Sequence, residues 1–125
     1  MVVVIALKDE NTRQQINQSL GICFTGCKTV NVFTGKECLR LIKQNPANIV
    51  ILDSYLDDME GIEVAKGIRC VSSAPILMLS YIRDQKQLVE AFEAGVNDYM
   101  AKPFHQMEFI ARVRCLLRNY SCEHN

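Results

Sequence analysis

Three stretches of this chain are apolar on every residue or nearly so, and each is followed by a helical pattern rather than by a hairpin turn. They are Val2–Leu7, Asn48–Leu52 and Pro75–Leu79. A strand with no polar face needs cover on both sides, which points to a parallel sheet between two layers of helices. Two weaker candidates, Lys28–Val32 and Asp98–Ala101, complete a strand–helix unit repeated five times. Alternation of this kind in 125 residues implies one open, doubly wound α/β domain with right-handed crossovers. A TIM barrel needs roughly 200 residues or more and is excluded.

The helical patterns between the strands carry their own punctuation. Ile16, Leu20, Cys23 and Cys27 fall on one face of a helix starting near Asn11. Thr34-Gly-Lys-Glu37 has the capping-box form, and Pro46 stops the helix that follows. Gly61–Cys70 and Asp84–Ala94 are further helices, the second ending at Gly95, a natural left-handed cap. A last helix presents Phe109, Ile110, Val113, Leu116, Leu117 and Tyr120. The domain is expected to occupy 1–120, with a tail or the start of a linker at 121–125.

Composition narrows the function. Fourteen basic and 14 acidic residues cancel, which argues against a dedicated nucleic-acid-binding domain. No apolar run approaches the roughly 20 residues of a membrane span, and the short opening apolar run lacks a signal peptide's basic flank. The six cysteines form no Cys-x-x-Cys pair and no zinc set with His105 or His124. They read as mostly small buried groups in a reducing cytoplasm.

In doubly wound folds, ligands bind beyond the carboxyl ends of the strands. The residues ending the strands here are Lys8-Asp9-Glu10, Asp53, Ser80-Tyr81 and Lys102-Pro103-Phe104. No glycine-rich phosphate loop follows the first strand, so a dinucleotide site or P-loop is unsupported. The set suits phosphoryl chemistry instead. Asp53 is a carboxylate nucleophile. Asp9 is a hard oxygen ligand for Mg²⁺. Lys102 offsets charge on a transferring phosphoryl group, and Ser80 hydrogen-bonds one of its oxygens.

With these residues in place, the sequence resembles the receiver domain of two-component response regulators. The resemblance rests on Asp9-Glu10, Ile49-Val-Ile-Leu-Asp53, Met59-Glu-Gly61, Leu77-Met-Leu-Ser80, Ala94-Gly95, Asp98-Tyr99 and Lys102-Pro-Phe104. It implies a flavodoxin-like (CheY-like) five-stranded parallel sheet in the order 2-1-3-4-5. It implies phosphorylation of Asp53 by a histidine kinase with Mg²⁺ bound to Asp9, Asp53 and the backbone carbonyl of Tyr55, Glu10 being a further oxygen. It also implies a Ser80–Tyr99 switch pair and a cis Lys102–Pro103 bond. The last helix is similar to the OmpR/PhoB subfamily, whose receivers dimerise through the fourth helix, fifth strand and fifth helix. Asp98 and Arg112 match one cross-subunit ion pair of that face. Glu108 matches the acid of another, whose basic partner falls at Leu88 unless Lys86 substitutes. DNA contact in that subfamily belongs to a downstream domain.

Two positions depart from the pattern. Lys8 stands where an acid is usual, so Asp9 and Asp53 are balanced by Lys8 and Lys102. Lys8 is expected to weaken metal binding or to pair with Asp53, the alternative being that it swings into solvent and does neither. Tyr81 stands where a small residue is usual and either narrows access to Asp53 or lies outward. These departures keep a second reading open: a pseudo-receiver acting as a phosphorylation-independent interaction or dimerisation module. A haloacid-dehalogenase-like phosphohydrolase needs a second carboxylate at position 55, which is tyrosine. A flavodoxin needs a hydroxyl-rich loop after the first strand, which is missing. The acids at 57, 58, 60 and 63 read as a solvated loop and helix start.

Overall fold

Five strands separated by helices make up the computed structural model, which describes residues 1–123, with side chains described through Asn119. The elements run β1 (Val2–Ala6), α1 (Glu10–Cys23), β2 (Lys28–Val32), α2 (Gly35–Gln44), β3 (Ile49–Asp53), α3 (Gly61–Arg69), β4 (Ile76–Ser80), α4 (Gln85–Glu93), β5 (Asp98–Ala101) and α5 (Gln106–Glu123). The sheet is parallel throughout, in the order β2-β1-β3-β4-β5. This is the flavodoxin-like order that the family resemblance implied. α5 passes the expected domain end at 120. The remaining tail positions 124–125 lie outside the described residues, as do the side chains of Tyr120 and Cys122.

The three all-apolar strands are the three interior ones, and side-chain alternation explains why. In β1 and β3, Val4, Ala6, Val50 and Leu52 point to one face, where they meet Cys38, Ile42, Val64, Ala65, Ile68 and Ala91 of α2, α3 and α4. Val3, Ile5, Ile49 and Ile51 point to the other face, against Ile16 and Leu20 of α1 and Phe109 and Val113 of α5. β2 and β5 are edges and can afford polar positions.

Local signals set the element ends. Thr34 accepts from the Glu37 N–H at 3.1 Å, as the capping box requires. Asp84 caps α4. Gly95, at φ 108°, closes α4 in a conformation that side-chain-bearing residues avoid. α1 is shorter than its periodicity suggested: it stops at Cys23, and Gly26 turns the chain at φ 81°, so Cys27 lies off the helix. The expectation of mostly buried cysteines also needs correction. Among those described, only Cys38 is buried, and its burial pushes the thiol up to about 12; Cys70 and Cys115 are exposed.

Candidate functional site

Parallel pairing brings the carboxyl ends of β1, β3, β4 and β5 to one edge, where a cavity of about 540 Å³ is lined by Lys8, Asp9, Glu10, Asp53, Ser54, Tyr55, Tyr81, Ile82 and Lys102. Asp53, the last residue of β3, lies at its floor and is only 4% exposed. Both of its carboxylate oxygens are held. Lys102 Nζ donates to Oδ1 at 2.9 Å, and the Lys8 backbone N–H donates to Oδ2 at 3.0 Å. Lys102 is itself buried, so this ion pair is shielded from solvent. The Lys102–Pro103 bond is cis.

Gly61 makes this floor possible. A Cβ there would lie 2.3 Å from the Asp53 carbonyl oxygen, and the Gly61 N–H donates to the Ser54 carbonyl at 2.7 Å. Only glycine lets α3 start so close to the strand end.

Asp9 caps α1. Its Oδ1 accepts from the Asn11 N–H, while Oδ2 accepts from Thr12 Oγ1 at 2.5 Å and from the Tyr81 hydroxyl at 3.0 Å. The Thr12 bond is the main influence holding the Asp9 carboxyl below its ordinary value, against some desolvation. Tyr81 responds in the opposite sense: donating to Asp9 favours its neutral phenol and raises its pKa. The Tyr81 ring also covers Lys102 Nζ, 4.5 Å from the ring centre. The residue is 61% exposed, yet the ring lies across the cavity, so the outward placement is not the one adopted.

Lys8 does not do what its charge suggested. Its ammonium pairs with Asp57 Oδ1 at 3.1 Å, with both side chains largely exposed, rather than with Asp9 or Asp53. Only its backbone serves the site. The acidic residues at 57, 58, 60 and 63 are all exposed, as a solvated loop and helix start should be, but one of them has a structural task. Asp58 accepts from the N–H groups of Gly35 and Lys36 at 2.8 and 3.1 Å and thereby caps α2, not α3. Those bonds, Gly35 first, hold its carboxyl below the ordinary value.

Ser80 is fully buried beneath the cavity wall. Its oxygen accepts from Ser54 Oγ at 2.9 Å and from the Ile82 N–H at 3.0 Å, which leaves its own hydroxyl proton to donate. The Tyr99 hydroxyl lies 3.1 Å from the Ile82 carbonyl oxygen and 2.9 Å from Gln87 Oε1. Ser80 and Tyr99 are therefore joined through the backbone of one residue. Gln87 uses its other end as well, donating from Nε2 to the Tyr55 hydroxyl at 3.2 Å.

The remaining expected residues lie on a different face. Tyr99, Glu108 and Arg112 line a groove with Asp84 and Leu88. Within this single chain Arg112 Nη1 reaches both Asp98 oxygens at 3.0 Å, and Glu108 accepts from Arg112 rather than from Lys86. Partial burial acts downward on the Arg112 guanidinium, but its bonds to Asp98 and Glu108 outweigh that and hold it above its ordinary value.

Sequence reasoning missed Arg13, Thr12, Ser54 and Gln87. Of these only Arg13 left a usable signal: it is a charge three residues before Ile16 and seven before Leu20, on the buried stripe of α1.

Comparison with known proteins agrees with this geometry. The chain is 39% identical over 120 residues to the transcriptional regulatory protein KdpE of Mycobacterium tuberculosis, covering 94% of this chain and 52% of the relative. The chain thus spans about half the length of that relative. Among solved structures, a two-component response regulator from Clostridium difficile superposes with TM-score 0.88 at 25% identity, covering 94% of this chain and 96% of that one. A CheY-like response regulator receiver domain protein from Methanospirillum hungatei shares the fold, with TM-score 0.90 at 22% identity over 98% and 97% of the two chains. Residues 3–114 match the response regulator receiver domain, and the chain belongs to that family.

Proposed function

We propose that this receiver accepts a phosphoryl group on Asp53 from a histidine kinase and reports it through the face carrying Tyr99. The observation that carries the reading is the Asp53 carboxylate, buried at the cavity floor with Lys102 on one oxygen and a backbone N–H on the other. A carboxylate so held is oriented and beside a cation suited to phosphoryl oxygens. In the transfer, a carboxylate oxygen of Asp53 bonds phosphorus as the phosphorus–nitrogen bond of a phosphohistidine breaks, and the imidazole leaves with the electron pair.

The residues fit Mg²⁺. No group of three or more His, Cys, Asp or Glu side chains gathers among the described residues. Mg²⁺ does not require one: it takes one or two carboxylates and keeps waters for the rest. Asp9 and Asp53 line the same cavity, with Tyr55 and Glu10 at its wall. These residues would hold the ion, which supplies charge neutralisation to the phosphoryl oxygens. Asp9 must then release Tyr81.

Ser80 would donate its free hydroxyl proton to the phosphoryl group, loosening Ile82 and through it Tyr99. The face built from α4, β5 and α5 would then pair with a second copy, exchanging the Asp98–Arg112 contacts between subunits, with Glu108 beside them. The full-length protein would control transcription through a downstream DNA-binding domain and act in the cytoplasm. No helix among the described residues is long and apolar enough to cross a membrane. Receivers are signalling modules, and catalysis here would be limited to the domain's own phosphorylation and dephosphorylation.

The occupied oxygens of Asp9 favour the second reading, a phosphorylation-independent interaction module, since they resist the metal. One experiment separates the two. With Mg²⁺ and a small phosphodonor, intact-mass spectrometry should show one added phosphoryl group, lost in Asp53→Asn. An unmodified wild-type protein, or modification persisting in the variant, overturns the phosphoacceptor reading.

A further inference from the structure

α1 buries one cation on its apolar stripe. Arg13 is only 5% exposed, a depth at which guanidinium groups are normally paired with an acid. Among the described residues it has no carboxylate within ion-pair distance. Its partners are neutral oxygens at the carboxyl ends of β1 and β2. Nη2 donates to the Leu7 carbonyl and, at 2.9 Å, to the Val32 carbonyl, while Nη1 donates to Asn31 Oδ1 at 2.9 Å. Asn17 Nδ2 holds the same Asn31 oxygen at 3.0 Å, and the Phe33 ring covers the guanidinium at 4.1 Å. Nε has no hydrogen-bond partner among the described residues.

Burying an ion without a counter-ion is unfavourable. Desolvation accordingly lowers the Arg13 pKa, and the carboxylates of Glu10, Asp53 and Glu37 oppose that through space. An apolar side chain would fill the position at less cost, so the cation needs a reason.

The Leu7 carbonyl supplies one. It is one end of the Leu7–Lys8 peptide group, and the N–H at the other end donates to Asp53 Oδ2 at 3.0 Å. The two ends of a peptide group are conjugated. A cation bound to the oxygen draws density from the nitrogen and makes the N–H a stronger donor. The oxygen contact also fixes the plane of the group, and so the direction in which the N–H points.

We propose that Arg13 is a positioning residue for Asp53: by holding the Leu7 carbonyl it orients and polarises the Leu7–Lys8 peptide, so that the Lys8 N–H pins one carboxylate oxygen while Lys102 pins the other. The proposal rests on Asp53 being the phosphoacceptor. It assigns to the backbone at position 8 a role that the Lys8 side chain, turned toward Asp57, does not play.

The test reads the Lys8 amide directly, by ¹H–¹⁵N NMR of the unphosphorylated protein, together with the rate of Mg²⁺-dependent phosphorylation by acetyl phosphate. Arg13→Met removes the cation and keeps a long side chain. Arg13→Lys restores a charge. Asn31→Asp leaves Arg13 in place at an exposed, isosteric position and sets a counter-ion on Nη1, so it carries the test even where Arg13→Met does not fold. The Lys8 amide proton should move upfield in Arg13→Met and in Asn31→Asp, with part of the shift regained in Arg13→Lys, and the phosphorylation rate should fall several-fold in the same order. A Lys8 resonance unchanged in folded Asn31→Asp and Arg13→Met overturns the proposal. So does a shifted resonance with an unchanged rate. The amide shift is read without any phosphodonor, so its outcome stands apart from the Asp53→Asn experiment, on which the phosphoacceptor reading depends.

Discussion

The Tyr81 hydroxyl and Thr12 Oγ1 donate to the same oxygen of Asp9, so the carboxylate proposed to meet Mg²⁺ already has that oxygen occupied. Metal binding at Asp9 must displace the phenol. Tyr81→Phe keeps the ring over Lys102 and removes only the hydroxyl. It should tighten Mg²⁺ by roughly 2- to 10-fold, the equivalent of one net hydrogen bond of about 0.5–1.5 kcal/mol. Calorimetric titration of both proteins checks this, and equal affinities would show that the phenol does not compete. Tyr81→Ala should in addition speed phosphorylation by bulky donors, because it removes the ring from the cavity mouth.

Gly61→Ala should destabilise the domain by about 1–3 kcal/mol, the usual range for a forced overpacking. The added methyl meets the Asp53 carbonyl and the Ser54 Cα rather than a flexible side-chain end. Urea denaturation measures the loss. The same variant should phosphorylate more slowly, since relief of the clash moves Asp53 itself.

Acid should weaken the tie between the β3–α3 loop and α2. The Asp58 carboxyl is held below its ordinary value by the Gly35 and Lys36 N–H groups. A depressed carboxyl stabilises the fold above its unfolded pKa, about 3.9 for aspartate, and that contribution is lost as pH falls through the folded value. Asp58→Asn should therefore melt at a lower temperature than wild type at neutral pH, with the gap closing as pH drops below about 4. A gap independent of pH would mean that the charge of Asp58 contributes nothing.

Arg112→Glu places a third acid beside Asp98 and Glu108. The pairs it breaks are partly exposed, so the monomer should lose only about 0.2–1 kcal/mol. Self-association of the phosphorylated protein should be abolished, as sedimentation velocity can show. An unchanged oligomer in the variant would place the interface elsewhere.

The layering was legible because β1, β3 and β4 are buried on both faces, a condition that leaves an unbroken apolar run, whereas the strand order came only with the family resemblance. Helix ends were legible where a side chain makes the cap, as at Thr34 and Asp84, and less so at α1, where periodicity carried on past the turn at Gly26. The gathering of Asp9, Asp53 and Lys102 followed from parallel strands ending at one edge. The direction of long side chains did not. Lys8 turns to a loop acid, Tyr81 turns inward over Lys102, and Arg13 dives toward carbonyls of two strands. Backbone oxygens have no sequence signature, so a side chain that seeks them cannot be paired by inspection.

Gln87 spends both ends of one amide, with Tyr55 on one side and Tyr99 on the other. It ties α4 at once to the loop after Asp53 and to β5. Sliding α4 to favour one bond stretches the other, so small displacements meet resistance from two directions. The helix behaves as a crossbar clasped at two points. Both clasps hang on one side chain, so whatever turns the Gln87 amide bears on Tyr55 and Tyr99 alike.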